Sequence, residues 1–254
     1  MTARHQERRF QRTTNTEIEK TMPMKFKALA CAALVIPSFA FAARPFVTDD
    51  ARLTTGGSCQ LESWMRVYPN STEIWALPAC NPTGNLEFTF GGGRAKADGE
   101  QATTDYVFQA KTLFRPLETN GWGWGLAVGT IRHPEINPGP NMLGNTYAYI
   151  PLSFSMYDDK VIVHTNLGWL KDKASGLNST SWGIGGEFKL HPRLLGIAET
   201  FGDNHGLSYG QVGVRYSVIP DLFQVDATFG QQLSGEGNSH WVSFGIRYTP
   251  DKLF

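Results

Sequence analysis

Residues 240–249, His-Trp-Val-Ser-Phe-Gly-Ile-Arg-Tyr-Thr, alternate without a break. His240, Val242, Phe244, Ile246 and Tyr248 fall on one face, and Trp241, Ser243, Gly245, Arg247 and Thr249 on the other. A side-chain period of two is a β-strand with one apolar face.

Working outward from that stretch, the same pattern returns about every ten to fifteen residues. Phe223, Val225, Ala227 and Phe229 alternate with Gln224, Asp226, Thr228 and Gly230. Val212, Val214, Tyr216 and Val218 alternate with Gln211, Gly213, Arg215 and Ser217. Trp182, Ile184, Phe188 and Leu190 alternate with Ser181, Gly183, Gly185, Glu187 and Lys189. Further strands centre on Ala148–Phe154, Trp122–Val128, Tyr106–Phe114 and Leu86–Phe90. Weaker alternation over 59–68, 72–80, 161–170 and 193–201 brings the set to about twelve. In the last of these only Glu199 marks the inward face.

The connections sort into two classes. Counted back from the C-terminus, one alternate set holds Ile219-Pro220-Asp221, His191-Pro192, Tyr157-Asp158-Asp159, Pro116-Leu117-Glu118 and Asn81-Pro82-Thr83, all short. The other holds 233–239, 202–206, 171–177, 132–143 and 94–101, mostly longer, with Pro69-Asn70 as its short member. Short turns at one end and longer loops at the other belong to a transmembrane up-and-down barrel. A secreted β-sandwich or lipocalin-like barrel also alternates. It has no reason to segregate loop lengths, or to carry charges mid-strand on the polar face opposite Trp, Tyr and Phe. The expected fold is therefore all-β, a transmembrane antiparallel barrel of about twelve strands. Phe254, the last residue, is of the type that barrel assembly machinery reads at a C-terminus.

The N-terminal region reads as a secretory signal. Lys25 and Lys27 precede an uncharged apolar stretch from Ala28 through Phe41, and Ala40-Phe41-Ala42 offers the small-x-small cleavage pattern. The stretch is short for a spanning helix. The polar segment before Met24 fits an extended n-region or a start at Met24. Cys31 lacks a lipobox, since Ala28 stands where Leu is needed. The domain reading is 1–43 signal peptide with extended or misassigned N-terminus, 44–57 a periplasmic or lumenal segment, and 58–254 barrel.

Composition excludes other classes. Lys plus Arg equals Asp plus Glu at 23 each, so no basic patch invites nucleic acid. The six histidines are scattered without metal-ligand spacing on one strand. There is no nucleophile elbow, phosphate-binding loop or dinucleotide fingerprint. No catalytic residue, metal or cofactor is expected. His164 and Ser153 fall on the inward face, which does not support a lipid-facing active site. Asn70-Ser71-Thr72 and Asn178-Ser179-Thr180 read as polar loop residues.

By parity the inward face carries Glu62, Arg66, Glu73, Glu87, Lys111, Glu187, Lys189, Glu199, Arg215, Asp226 and Arg247. A barrel of about twelve strands is narrow. Mixed long side chains would largely fill it by pairing with one another, and a narrow polar path for a small solute is the other reading of the same residues. Arg215 and Asp226 flank Pro220-Asp221 symmetrically and are expected opposite each other, around a type I turn. Cys59 and Cys80 flank Pro69-Asn70 in the same way, which sets Arg66 against Glu73 and Trp64 against Trp75. In an oxidising compartment the two cysteines are expected to form a disulfide, closing a loop worth about 3 kcal/mol.

Several stretches resemble the MetA-pathway phenol-degradation family of outer-membrane proteins. They are Arg44-Pro45-Phe46-Val47-Thr48-Asp49-Asp50-Ala51, Gln60-Leu61-Glu62, Leu86-Glu87-Phe88, Gln109-Ala110-Lys111, His164-Thr165-Asn166-Leu167-Gly168-Trp169, and Gln211-Val212-Gly213-Val214-Arg215-Tyr216 followed by Asp226. The resemblance implies a barrel that moves small, often hydrophobic compounds. Cys59 and Cys80 depart from the family's features.

The function expected is passage of small compounds, hydrophobic or aromatic ones included, across a bacterial outer membrane. A non-conducting structural or adhesin-like barrel is the alternative, and a lipid-modifying enzyme the third reading. The expected partners are outer-membrane lipids and lipopolysaccharide, the barrel assembly machinery and a small-molecule solute.

Overall fold

The structure is a computed structural model that describes residues 45–134, 144–235, 237–251 and 253–254. The signal segment expected over 1–43, with Cys31, lies outside the described residues. The strands are β1 (Ser58–Tyr68), β2 (Ser71–Asn81), β3 (Leu86–Ala97), β4 (Thr103–Arg115), β5 (Trp122–Arg132) and β6 (Asn145–Met156), then β7 (Val161–Lys171), β8 (Asn178–His191), β9 (Leu194–Asp203), β10 (Ser208–Ile219), β11 (Phe223–Ser234) and β12 (His240–Tyr248). Each pairs antiparallel with its sequence neighbour, and β1 pairs with β12 to close the barrel. Closure leaves no unpaired sheet edge, which a wall in hydrocarbon requires.

Alternation decides what each face meets. Phe90, Leu167, Val212, Phe244 and their outward neighbours are exposed around the outside, while Gln109, Lys111, Ser243 and Thr228 are buried inside. Such an apolar outer band is what lipid stabilises. We call the rim bearing the connections 116–121, 157–160 and 220–222 the lower rim, and its opposite the upper rim.

The connections differ in detail from the sequence reading. The segregation of lengths is looser, because β5 begins only at Trp122 and leaves a lower connection spanning 116–121, while 204–207 is a short upper one. At Pro220 the turn is not type I. Asp221 has φ 63°, and Leu222 N–H donates to the Ile219 carbonyl, so Pro220 and Asp221 form a type II turn. Proline presets the first central position, and Asp tolerates the left-handed second one. A register shift between Ser217 and Ile219 absorbs the change, and Arg215 still faces Asp226. Ser71-Thr72 and Asn178-Ser179-Thr180 belong to strand ends rather than loops.

The first hairpin has the register expected of it. Cys59 pairs with Cys80, Trp64 with Trp75, and Arg66 with Glu73. The cysteines form a disulfide with a Cα separation of 3.9 Å, shorter than the spacing of an ordinary cross-strand pair. Phe254 lies beyond β12. The tail returns to the start of β1, where the Leu253 and Phe254 N–H groups donate to the Gly57 carbonyl at 2.8 and 3.1 Å.

Two ladders skip rungs without changing register. Between β2 and β3 the pairing runs from Ala76–Gly92 to Ala79–Thr89, passing Pro78. Between β5 and β6 it runs from Trp124–Leu152 to Ala127–Tyr149, passing Pro151. Proline has no N–H to give to the ladder.

Candidate functional site

The strands enclose a lumen, and the chain itself enters it. The segment before β1, residues 45–57, passes inside the barrel with Phe46, Thr48, Asp49, Asp50, Ala51 and Thr54 buried. An irregular segment inside a barrel needs partners for its backbone, and inward side chains supply them. Glu199 of β9 accepts the Val47 and Thr48 N–H groups at 2.6 and 2.8 Å. Ser153 of β6 accepts Ala51 N–H at 2.8 Å, and Glu87 of β3 accepts Thr54 N–H at 2.7 Å. Asn81 donates to the Thr54 carbonyl and Gln211 to the Pro45 carbonyl. From the lower rim, Leu117 N–H reaches the Ala51 carbonyl at 3.3 Å.

Charge complements these bonds. The Lys111 ammonium of β4 sits 2.8 Å from Asp49 Oδ2 and 3.6 Å from Asp50 Oδ1. Tyr149 donates to Asp49 at 2.7 Å. Arg52 lies 3.3 Å from Glu187 and 3.4 Å from Asp50. Space is made as well as charge. A Cβ at Gly183 would lie 2.4 Å from Thr48 Oγ1, and one at Gly185 2.9 Å from the Phe46 ring. The two inward glycines of β8 are thus the groove in which the segment rests.

Glu87, Lys111, Glu187 and Glu199 therefore hold the N-terminal segment, where the sequence reading had wall residues pairing with one another. Arg215 reaches Glu187 at 3.4 Å, while facing Asp226 in register. Arg247 lies 3.7 Å from Glu62 and donates to Gln60 at 2.8 Å. Arg66 and Glu73 pair at 3.0 Å in the upper lumen, apart from the rest. Lys189, expected inward, is exposed beside a bulge at the lower end of β8. Sequence reasoning missed Ser153, Tyr149, Asn81 and Gln211 as contacts of the segment. The signal that could have found them was the Gly183-x-Gly185 gap among long polar side chains.

Ser153, His164 and Glu187 line up, with Ser153 Oγ 2.8 Å from His164 Nδ1 and His164 Nε2 3.8 Å from Glu187. The order is that of a nucleophile, base and acid, but Ser153 and His164 are fully buried beneath Ala51 and Phe46. The string anchors the segment.

The upper lumen is aromatic. Trp64 stacks on Trp75 at 5.9 Å, and Phe201, Tyr209, Trp241 and Tyr68 form a second group. Three of the large rings cross a glycine opposite them in register: Trp75 over Gly93, Tyr147 over Gly129, Trp241 over Gly230. Arg66 stands 5.3 Å from the Trp241 ring centre. Below, between the segment and β1 to β4, a cavity of about 30 Å³ remains, lined by Asp50, Thr54, Gln60, Glu62, Glu87, Lys111 and Arg247. That is room for little more than a water or two.

Solved structures share this architecture. A KdgM porin superposes with a TM-score of 0.57 at 8% identity, covering 75% of this chain and 99% of that one. A NanC porin gives 0.54 at 9% identity, covering 76% and 100%. The COG4313 outer membrane channel from Pseudomonas putida F1 gives 0.54 at 12% identity, covering 78% and 97%. At such identities the likeness is one of fold, that of outer-membrane barrels. Comparison with curated proteins finds no match. At the level of families, residues 30–249 match one described as uncharacterised conserved protein UCP029691, not one named for the MetA pathway. With that match running from before the lumenal segment to the end of β12, the chain belongs to the UCP029691 family.

Proposed function

We propose that this protein is a bacterial outer-membrane channel for small solutes, hydrophobic or aromatic ones included. The observation that carries the reading is the division of the lumen: an aromatic upper half stands above a lower half that residues 45–54 nearly fill. Trp, Tyr and Phe offer a solute contact by stacking. The 30 Å³ left beside the segment keeps conductance small while the segment stays in place. The segment is held by side-chain contacts only, its hydrogen bonds and ion pairs joined by the packing of Phe46 on Ile197 and Val47 on the Trp241 group, so it can leave without breaking a strand.

The same filling of the lumen favours a second reading, a barrel that conducts nothing and serves as a scaffold. Planar-bilayer recording separates the two. Purified barrel should show small, stable steps, and a variant lacking residues 44–54 larger ones. Silence from both would leave the scaffold. Phenol-class and sugar solutes in liposome-swelling assays then test the solute class, with faster entry expected for the aromatic compounds.

A further inference from the structure

Among the described residues, the upper strand ends of the outer face carry their cations on one side only. Trp75 faces inward and pairs with Gly93, so by alternation Arg94 and Lys96 of β3 face outward. Arg132 ends β5 opposite the exposed Tyr106, and Lys171 ends β7 opposite Thr146, both outward. All four stand at the upper ends of strands between β3 and β7. Among the described residues, no Lys or Arg faces outward in the upper halves of β8 to β12. Beneath the cations, on the same wall, lie the exposed Phe88, Phe90, Phe108 and Trp169. Arg94 and Lys96 border an outer groove of about 620 Å³ with Thr72, Ile74, Gln101 and Glu100. No carboxylate among the described residues lies within ion-pair distance of Arg94, Lys96 or Lys171.

We propose that this wall is a binding site for lipopolysaccharide, with its phosphates on the cations and its acyl chains on the aromatic residues below. Cations at a lipid surface attract anionic headgroups, and the apolar face beneath them continues into hydrocarbon. Width selects the occupant. From β3 to β7 is about 19 Å at the usual strand spacing, which suits a bisphosphorylated lipid of several acyl chains better than one two-chain phospholipid. The proposal rests on the outer-membrane reading, because only there does an upper rim meet such a lipid.

The test is binding of purified lipopolysaccharide to the detergent-folded barrel, for the native chain, for Arg94→Gln with Lys96→Gln, and for Arg115→Gln. Arg115 is an exposed cation at the lower end of β4, stacked 4.3 Å from the Trp122 ring. The double variant should bind roughly thirty-fold more weakly, the scale for two cations at an anionic surface. Arg115→Gln should bind as the native chain does, and dephosphorylated lipopolysaccharide should bind weakly to all. Heat-modifiable mobility certifies that each variant is folded. Equal binding by the double variant, or equal competition by phosphatidylglycerol or inorganic phosphate, overturns the proposal. If it falls while bilayer conductance persists, the channel reading stands without it.

Discussion

The two halves of the lumen obey one parity rule and end with opposite chemistry. In the upper half, Trp75, Tyr147 and Trp241 settle across glycines on adjacent strands, so these ring–glycine contacts join residues that the hairpin register already places side by side. In the lower half, the inward side chains turn to a segment far away in sequence: Glu199 bonds residues 151 and 152 positions earlier, and Lys111 one 62 positions earlier. The upper half is stabilised mainly by the fit of rings and the lower mainly by hydrogen bonds and ion pairs, with Phe46 and Val47 as the segment's apolar contacts. Perturbing one should leave the other standing, and that independence can be tested.

The largest effect belongs to Lys111. Replacing it with Met leaves Asp49 and Asp50 buried without their ammonium. Breaking a buried pair by removing one partner costs about 3–5 kcal/mol. The barrel need not bear all of that cost, because the segment can leave the lumen. We expect a lower unfolding midpoint in detergent and new tryptic cleavage after Arg52, which is half-buried in the native chain. Adding Asp49→Asn and Asp50→Asn should recover much of the loss. Native-like stability and no cleavage in Lys111→Met would show that charge does not hold the segment.

A smaller effect is expected above. A Cβ at Gly93 would lie 2.3 Å from the Trp75 ring, and one at Gly230 2.2 Å from the Trp241 ring. Gly93→Ala must push Trp75 off its place and disturb its stack with Trp64. Overpacking of this kind costs about 1–3 kcal/mol. The near-ultraviolet circular dichroism of the tryptophan pair should change, while Arg52 stays protected from trypsin. Cleavage at Arg52 in this variant would mean that the two halves are coupled and the comparison drawn too sharply.

What the sequence made legible follows the same division. The strand set, the closed barrel and the pairs Arg66–Glu73, Trp64–Trp75 and Cys59–Cys80 rest on period-two alternation and on turn symmetry, which are local. Even the register around Pro220 held although the turn type did not, because a bulge repaid the missing residue. The occupant of the lower lumen was legible only as an alternative, since 44–57 read as a periplasmic or a lumenal segment. Parity places Glu87, Lys111, Glu187 and Glu199 inside but is silent about what they meet, and residues 45–57 have no periodicity of their own. Pro45-Phe46-Val47-Thr48-Asp49-Asp50 stands out in the sequence by its resemblance to a family; its two carboxylates match an inward lysine on β4, and only the fold brings them together.

The smallest effect lies at the lower rim, where the segment is tied to a turn. Leu117 holds the Ala51 carbonyl, and the turn over 116–121 is clamped to the one over 157–160. Tyr157, Asp158 and Asp159 all have left-handed φ values near 55–58°, a conformation that Tyr adopts at a cost. The clamp offsets that cost. Asn120 and Asp158 exchange two bonds, at 2.7 and 2.8 Å, and Asp159 accepts from Ser155 and, at 2.6 Å, from Thr119. The Ser155 bond, then the Thr119 bond, hold the Asp159 carboxyl below its ordinary value of 3.8. A carboxylate with a depressed pKa in the folded state contributes stability above its unfolded pKa, and that contribution is lost as pH falls through the folded one. Asp159→Asn should therefore unfold slightly more easily than the native chain at pH 6. The gap should close as the pH drops below the ordinary carboxylate range and protonates the native Asp159. Asp159 is only half-buried at the rim, so the gap should also shrink with added salt. A gap that stays constant from pH 6 to below the ordinary value would mean that the clamp does not depend on the Asp159 charge, and that strain at Tyr157 is relieved by the Asn120 bonds alone.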